Sequence, residues 1–191
     1  MTWAIGNGES RTRIDINSLQ GIKVGCNAIV RDYKVDVAVC VDRRMVQEAL
    51  DRNFQNKILT RHNWIDRFKQ DNVHTVSDLP YKGHERPDEP FQWGSGPYAV
   101  LEAAMLSKKI KLIGFDLYSD TKTINNVYKD TFNYDSADKS PIDPRYWIHQ
   151  IGKVFESFPK KKFIIYQNDS WKLPKVWKYS NVSLDKISKI V

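Results

Sequence analysis

Apolar positions fall into short continuous runs separated by polar stretches, several of which carry apolar residues at helical spacing. Thr2–Ile5, Ile22–Cys26 and Val35–Val41 are rich in Val, Ile and Ala, the latter two each broken by a single charge. Runs of this kind fill a sheet covered on both faces. Arg43–Asn53 places Met45, Val46, Ala49 and Leu50 on one helical stripe, Lys57–Thr60 is a short strand, Trp64, Ile65 and Phe68 fit a short helix, and Val73–Val76 is another strand. Gly94-Ser95-Gly96-Pro97 opens a helix over Tyr98–Ser107, with Ser95 as a capping residue and Pro97 suited to the first turn. Ile110–Leu117 is a strand, Pro144–Phe158 a helix bearing Trp147, Ile148, Ile151, Val154 and Phe155, and Phe163–Tyr166 the last clear strand. Asp78–Trp93 and Ser119–Asp143 are long polar loops, and loops of that length are suspect for function. Trp171–Val191 reads as a loosely structured cover with a weak terminal helix. The alternation of strands and helices predicts an α/β sheet of largely parallel strands with helices on both faces.

Composition narrows the class. With 191 residues, 41% of them hydrophobic, the chain is long enough to bury a core, so we expect a body over residues 1–168 and a C-terminal cover segment over 169–191. No apolar run reaches the roughly 18 to 20 residues that span a bilayer, and the first residues lack the regions of a signal peptide; the expectation is a cytoplasmic protein. Cys26 and Cys40 sit inside apolar runs without metal-ligand spacing, as buried reduced thiols do. The net charge of +7 is concentrated at one end: residues 153–191 hold 9 Lys/Arg against 3 Asp/Glu. That segment, with Trp171, Trp177 and Tyr179, either contacts nucleic acid through phosphates and stacking or is a solvated basic rim.

In a parallel sheet, ligands bind outside the carboxyl ends of the strands. The strand ends here carry Gly6-Asn7-Gly8, Cys26-Asn27, Asp42, Gly94-Ser95-Gly96 at a helix start, and the stretch from Gly114 to Tyr118. Glycines admit close approach of a ligand to backbone N–H groups, and a helix start offers donors to a phosphate. Neither a Walker A loop nor a GxGxxG fingerprint is present, because Arg11 stands where the third glycine belongs. Arg43-Arg44 is either a phosphate partner or a helix-start charge pair, and Asn125–Tyr134 suits sugar or base recognition or is an ordinary solvent loop. His62, His74 and His84 have no ligand spacing and are expected to be scaffold or surface residues.

Taken in order, Gly6-Asn7-Gly8 with Ser10, Gly25-Cys26-Asn27 followed by Ile29-Val30-Arg31-Asp32, Gly94-Ser95-Gly96 opening an Ala-rich helix, and Ile110 through Tyr118 resemble the bacterial sialyltransferases that use CMP-sialic acid. The resemblance covers about residues 3–45 and 92–167; the middle and the tail find no counterpart. It implies a Rossmann-like, GT-A-like fold and a glycosyltransferase that binds a nucleotide sugar, CMP-sugar favoured, and works without a metal; no DxD motif occurs in the chain. Carried over by residue, Asn7 and Asn27 contact the nucleotide, Ser95 and Gly96 contact the donor, and Tyr118 and Tyr128 stabilise the departing phosphate. With Gly6, Gly8, Asp42, Gly94 and Gly114 these form the expected nucleotide site. A phenol donating to a phosphate oxygen stabilises the charge that develops as the glycosidic bond breaks.

The family's general base is a histidine in the loop before the helix at Pro144–Phe158, where this chain reads Ser140-Pro141-Ile142-Asp143. Asp143, with a pKa raised by burial, or His149 would take that role, although Asp143 also fits a helix cap and His149 a hydrogen-bonded boundary residue. The family's arginine near the Ser-Gly turn is absent too, with Gln92 and Trp93 there. The chain is short for a glycosyltransferase with a separate acceptor lid. A non-catalytic nucleotide-binding protein and a nucleic-acid-associated, base-modifying protein are the alternatives. Compact size and this mixture of motifs also resemble proteins of tailed phages, which implies a host cytoplasm.

Overall fold

The computed structural model describes residues 1–119 and 123–190, so three residues of the polar loop Ser119–Asp143, and position 191 at the end of the expected cover, lie outside the described residues. Eight strands form a single sheet: β1 (Thr2–Ile5), β2 (Ile22–Cys26), β3 (Val37–Val39), β4 (Lys57–Thr60), β5 (Val73–Thr75), β6 (Lys109–Ile113), β7 (Lys162–Gln167) and β8 (Val182–Lys186). Their order is β5-β4-β3-β2-β1-β6-β7-β8. Every neighbouring pair is parallel. The chain works outward from β1 to β5, then returns to the other side of β1 and works outward again to β8. The order therefore reverses between β1 and β6, which is where such sheets open a crevice.

Among the described residues three α-helices cover the sheet. On one face α2 (Ser95–Leu106) and α3 (Arg145–Ser157) pack on Ala4, Val24, Val39, Ile110, Leu112, Phe163 and Ile165. On the other, α1 (Arg43–Asp51) lays Met45, Val46 and Ala49 among the buried side chains that include Ile5, Ala38, Ile58 and Ile113. β1 is buried at all four positions, Thr2 included, as a central strand of a sheet covered on both faces requires. The expected α/β architecture with helices on both faces is the observed one.

Several elements differ from the sequence reading, α2 among them, which starts at Ser95 rather than Tyr98. β6 stops at Ile113 rather than Leu117, because Gly114 turns with φ 69° and Leu117 with φ 62°, which carries the chain out of the extended region. β3 is limited to Val37–Val39. Trp64–Phe68 holds only a 3-10 turn, Ile65–Arg67. The expected irregular cover contributes β8, pairing with β7 from Val182↔Phe163 to Lys186↔Gln167, and a fully buried Trp177. The sheet's last strand thus lies beyond residue 168.

Candidate functional site

Parallel pairing brings the carboxyl ends of β1, β2, β3 and β6 to one edge of the sheet, where a cavity of about 350 Å³ opens. Its lining includes Gly6, Asn7, Gly8, Asn27, Asp42, Gly94, Ser95, Gly96 and Gly114, all nine positions expected to hold a nucleotide, together with Tyr118. These residues are scattered over more than a hundred positions of sequence, and the topology alone assembles them.

The glycines at the floor serve the protein backbone first. The Gly6 N–H donates to Ile113 O and the Gly8 N–H to Gly114 O, both at 2.8 Å, so the turns after β1 and β6 cross in contact. A Cβ on Gly114 would stand 2.5 Å from Gly6 O, and one on Gly6 would overlap the Gly114 carbonyl. A Cβ on Gly8 would lie 2.5 Å from Asp116 Oδ2. That carboxylate accepts from the Ser10 N–H (2.8 Å), the Ser10 hydroxyl and Gln167 Nε2 (2.9 Å), tying the Gly6-Asn7-Gly8 turn to the ends of β6 and β7.

Ser95 does not cap its own helix. Gly94 is the N-cap, and the Ser95 hydroxyl donates to Asn27 Oδ1 at 2.7 Å while accepting from the Val41 N–H at 3.1 Å. One buried hydroxyl thus joins the α2 start to the ends of β2 and β3. Asn27 adopts φ 52°, a conformation Asn tolerates better than most residues. The first-turn N–H groups of α2, at Ser95 and Gly96, have no intrahelical acceptor, and Pro97 has no N–H to leave over. With the helix dipole they offer unpaired donors at the cavity wall, an arrangement suited to an anion. Asp42 is the N-cap residue of α1, but its carboxylate pairs with Arg61 at 3.3 Å instead of capping.

Asn7 is held from both sides. Its Nδ2 donates to Cys26 O (3.2 Å) and Tyr134 OH (3.3 Å), and its Oδ1 accepts from Arg11 Nη2 (3.3 Å). Arg11 is 2% exposed and also donates from Nε to Gly6 O at 2.8 Å. The residue that breaks the GxGxxG pattern is therefore the one that fixes the turn. Cys26 and Cys40 are free and buried, and desolvation pushes the Cys26 thiol up to about 12 against the opposing effect of Arg11.

Three of the four residues expected to carry catalysis lie outside the cavity lining. Tyr128 is 4% exposed, its hydroxyl accepts from Arg11 Nη2 at 3.2 Å, and burial raises its pKa. It supports Arg11 from beneath the site. Asp143 is exposed; its Oδ1 accepts from the Arg145 N–H at 2.9 Å and its Oδ2 from Arg145 Nε at 2.6 Å. Those hydrogen bonds lower its pKa, opposite to the rise expected of a buried base, and they tie down the start of α3. His149 Nε2 lies 2.7 Å from Asp88 Oδ1, pinning α3 to the loop before α2. Asp88 also accepts from Tyr81 OH (2.9 Å) and the Glu85 N–H (3.0 Å). Burial would raise its pKa, but these hydrogen bonds, led by that of His149, more than offset it and hold it at about 2. Tyr118 alone of the four lines the cavity; its ring lies 6.4 Å from that of Trp171, and burial raises its pKa.

The aromatics of the basic segment are engaged internally. Trp177 is fully buried, its Nε1 donates to Ile148 O at 2.7 Å, and it packs edge-on against Phe155. Trp171 Nε1 donates to Asp116 O at 2.7 Å, and Tyr179 packs against the core. Trp177 is therefore not presented for base stacking, and Trp171 is half-buried. No helix among the described residues is long and apolar enough to cross a membrane.

The cavity also contains Arg44, Asp116, Lys129, Asn133, Tyr134, Asp135 and Trp147. Lys129 pairs with Glu9 at 2.5 Å. The sequence singled out the Asn125–Tyr134 loop by composition; of its aromatics Tyr134 lines the cavity, and Arg31 anchors the loop. That guanidinium grips Glu48 on α1, Thr131 Oγ1 (2.6 Å) and Phe132 O (2.6 Å), a set of partners with no sequence signature.

No protein-family model and no curated protein matches the sequence. The fold is similar to a solved structure of a variant of the sialyltransferase CST-II in complex with CMP, at 18% identity and a TM-score of 0.56, covering 86% of this chain and 80% of that one. It is similar also to CstII from Campylobacter jejuni in complex with the substrate analogue CMP-3FNeuAc, at 16% identity and a TM-score of 0.55, covering 99% of this chain and 96% of that one. The likeness thus extends over the middle and the tail, for which the sequence motifs found no counterpart. This chain has an α/β Rossmann-like fold of GT-A-like architecture, with sialyltransferases among its structural neighbours.

Proposed function

We propose that the protein is a glycosyltransferase that binds a nucleotide-activated sugar, CMP-sugar favoured, at the carboxyl edge of its sheet. The observation that carries this reading is the convergence of nine expected nucleotide residues on one cavity at the sheet's order reversal, in a fold similar to proteins solved with CMP and a CMP-sugar analogue. The start of α2 receives a phosphate at the N–H groups of Ser95 and Gly96. Asn7 and Asn27 present amide groups to the nucleotide, and Tyr118 donates to the departing phosphate. In the reaction the bond from the anomeric carbon to phosphate oxygen breaks, a bond from that carbon to an acceptor hydroxyl oxygen forms, the hydroxyl proton passes to a base, and CMP leaves. No metal is assigned a part.

One observation favours a second reading, a nucleotide-binding protein without turnover: neither Asp143 nor His149 lines the cavity, and no histidine does among the described residues. The carboxylates that do are Asp42, Asp116 and Asp135, and Asp116 is occupied by Ser10 and Gln167. Release of CMP from CMP-N-acetylneuraminate separates the two. Turnover that falls in Tyr118→Phe supports transfer chemistry; tight CMP binding with no donor breakdown, with and without sugar acceptors, leaves the binding reading.

A further inference from the structure

Beside the candidate nucleotide cavity lies a second, more open depression formed by α1, the turn near Arg67 and the tip of the loop that carries Phe132. Arg43, Arg44 and Arg67 line it. Among the described residues no carboxylate lies within salt-bridge distance of any of the three, and Arg67 instead lies over the Trp64 ring at 5.4 Å. Two acids also line the depression, but both are engaged: Glu48 accepts from Arg31, Arg52 and Asn133, and Asp51 accepts from Gln47. The Gln47 amide is neutral, so Asp51 offsets one of the three guanidinium charges, and the depression keeps a net positive charge.

Phe132 adds the second element. Phe132 is 80% exposed, the most exposed large apolar residue among the described residues, yet its backbone is fixed, since the Phe132 carbonyl accepts from Arg31 Nη2 at 2.6 Å and the adjacent Asn133 side chain donates to Glu48 at 2.9 Å. An aromatic face on an anchored loop is a platform for the apolar face of a sugar ring, and arginine forks match carboxylate and phosphate oxygens. Arg44 and Asn133 line both the depression and the cavity, so a ligand in one adjoins a ligand in the other.

We propose that this depression is the second-substrate site, and that it takes a saccharide bearing a carboxylate or phosphate, with the anionic group on Arg43 and Arg67 and a sugar ring against Phe132. The proposal rests on the glycosyl-transfer reading, because the adjoining cavity supplies the donor. The concave shape and the single exposed ring favour a saccharide over the headgroups of a lipid surface.

The test is titration of the full chain with a hyaluronan tetrasaccharide, with mannose 6-phosphate and with neutral chitotetraose, alongside CMP. The two acidic probes distinguish carboxylate from phosphate as the recognised group, and binding of either supports the proposal provided that chitotetraose binds at least tenfold more weakly. The double variant Arg43→Ala/Arg67→Ala should lose at least tenfold in affinity for the acidic probe while binding CMP as the parent does, and Phe132→Ala should weaken the acidic probe severalfold. Binding of CMP with no acidic saccharide bound, equal affinity for chitotetraose, or an unaffected double variant overturns the proposal. Failure of CMP to bind while acidic saccharides still bind through these arginines refutes the donor reading and its place in transfer, but keeps the depression as an acidic-saccharide site. Adsorption to phosphatidylglycerol vesicles that the double variant abolishes, with no saccharide bound, also overturns it.

Discussion

The Ser95 hydroxyl donates to Asn27 Oδ1 at 2.7 Å, and through it the start of α2 is bonded to the turn after β2. The same oxygen satisfies the Val41 N–H. Ser95→Ala leaves that buried N–H without an acceptor, which costs about 1–3 kcal/mol, and frees the Asn27 side chain. Chemical denaturation should show the stability loss, and CMP affinity should fall with it. An unaltered midpoint would show that the hydroxyl does not join these ends.

The crossing of the turns after β1 and β6 gives a sharper case. Gly114→Ala places a Cβ 2.5 Å from Gly6 O at a residue with φ 69°, so clash and backbone strain act together. Gly8→Ala instead drives a methyl into the Asp116 carboxylate. Both variants should be strongly destabilised, by several-fold more than Gly96→Ala, whose Cβ would meet its nearest neighbour, Phe115, at 3.5 Å. Thermal melts of the three variants rank them directly.

The apolar runs of β1, β2, β4 and β7 were legible because both faces of a covered parallel sheet demand apolar side chains. The gathering of the strand-end residues on one cavity was legible for a related reason: strand ends in such a sheet must converge. β8 was not, since an edge strand with exposed Ser183, Leu184 and Lys186 carries no such signal. Nor were the roles of Asp143, His149 and Tyr128. Each has the chemistry of a catalytic group; the sequence left a cap role open for Asp143 and a boundary role for His149, and the partners Arg145 and Asp88 decide for these, whereas only Arg11 reveals the part Tyr128 plays. Gly6 and Gly8 suggested room for a ligand, whereas the sheet needs them where its own backbones touch.

The C-terminal segment belongs to the core through Trp177. Trp177→Ala should cost about 3–5 kcal/mol, the range for removing a large buried aromatic. Truncation after residue 168 should likewise yield a poorly folded chain rather than a stable body that has merely lost a basic tail. Circular dichroism and melting of the truncated chain check this; a cooperative melt at the parent temperature would contradict it.

Acid stability should depend on Asp88. Its folded pKa of about 2 lies below the ordinary carboxylate value of about 3.9, so the ionised form is favoured by folding. The stabilisation is fully present above about pH 4 and is lost as the pH falls towards 2. Asp88→Asn should flatten the pH dependence of the unfolding midpoint in that window, with the loop before α2 and the start of α3 the first to lose protection from hydrogen exchange. A parent-like acid profile in the variant would assign the acid sensitivity elsewhere.

The central claim is that Asn7, Asn27 and the start of α2 hold a nucleotide. Isothermal titration with CMP tests it most directly. The parent chain should bind CMP at one site, Asn7→Ala should weaken binding at least tenfold, equivalent to about 1.4 kcal/mol, and Asp143→Ala, outside the cavity, should bind as the parent does. No binding at millimolar CMP, or equal affinity in the parent and Asn7→Ala, would contradict the account.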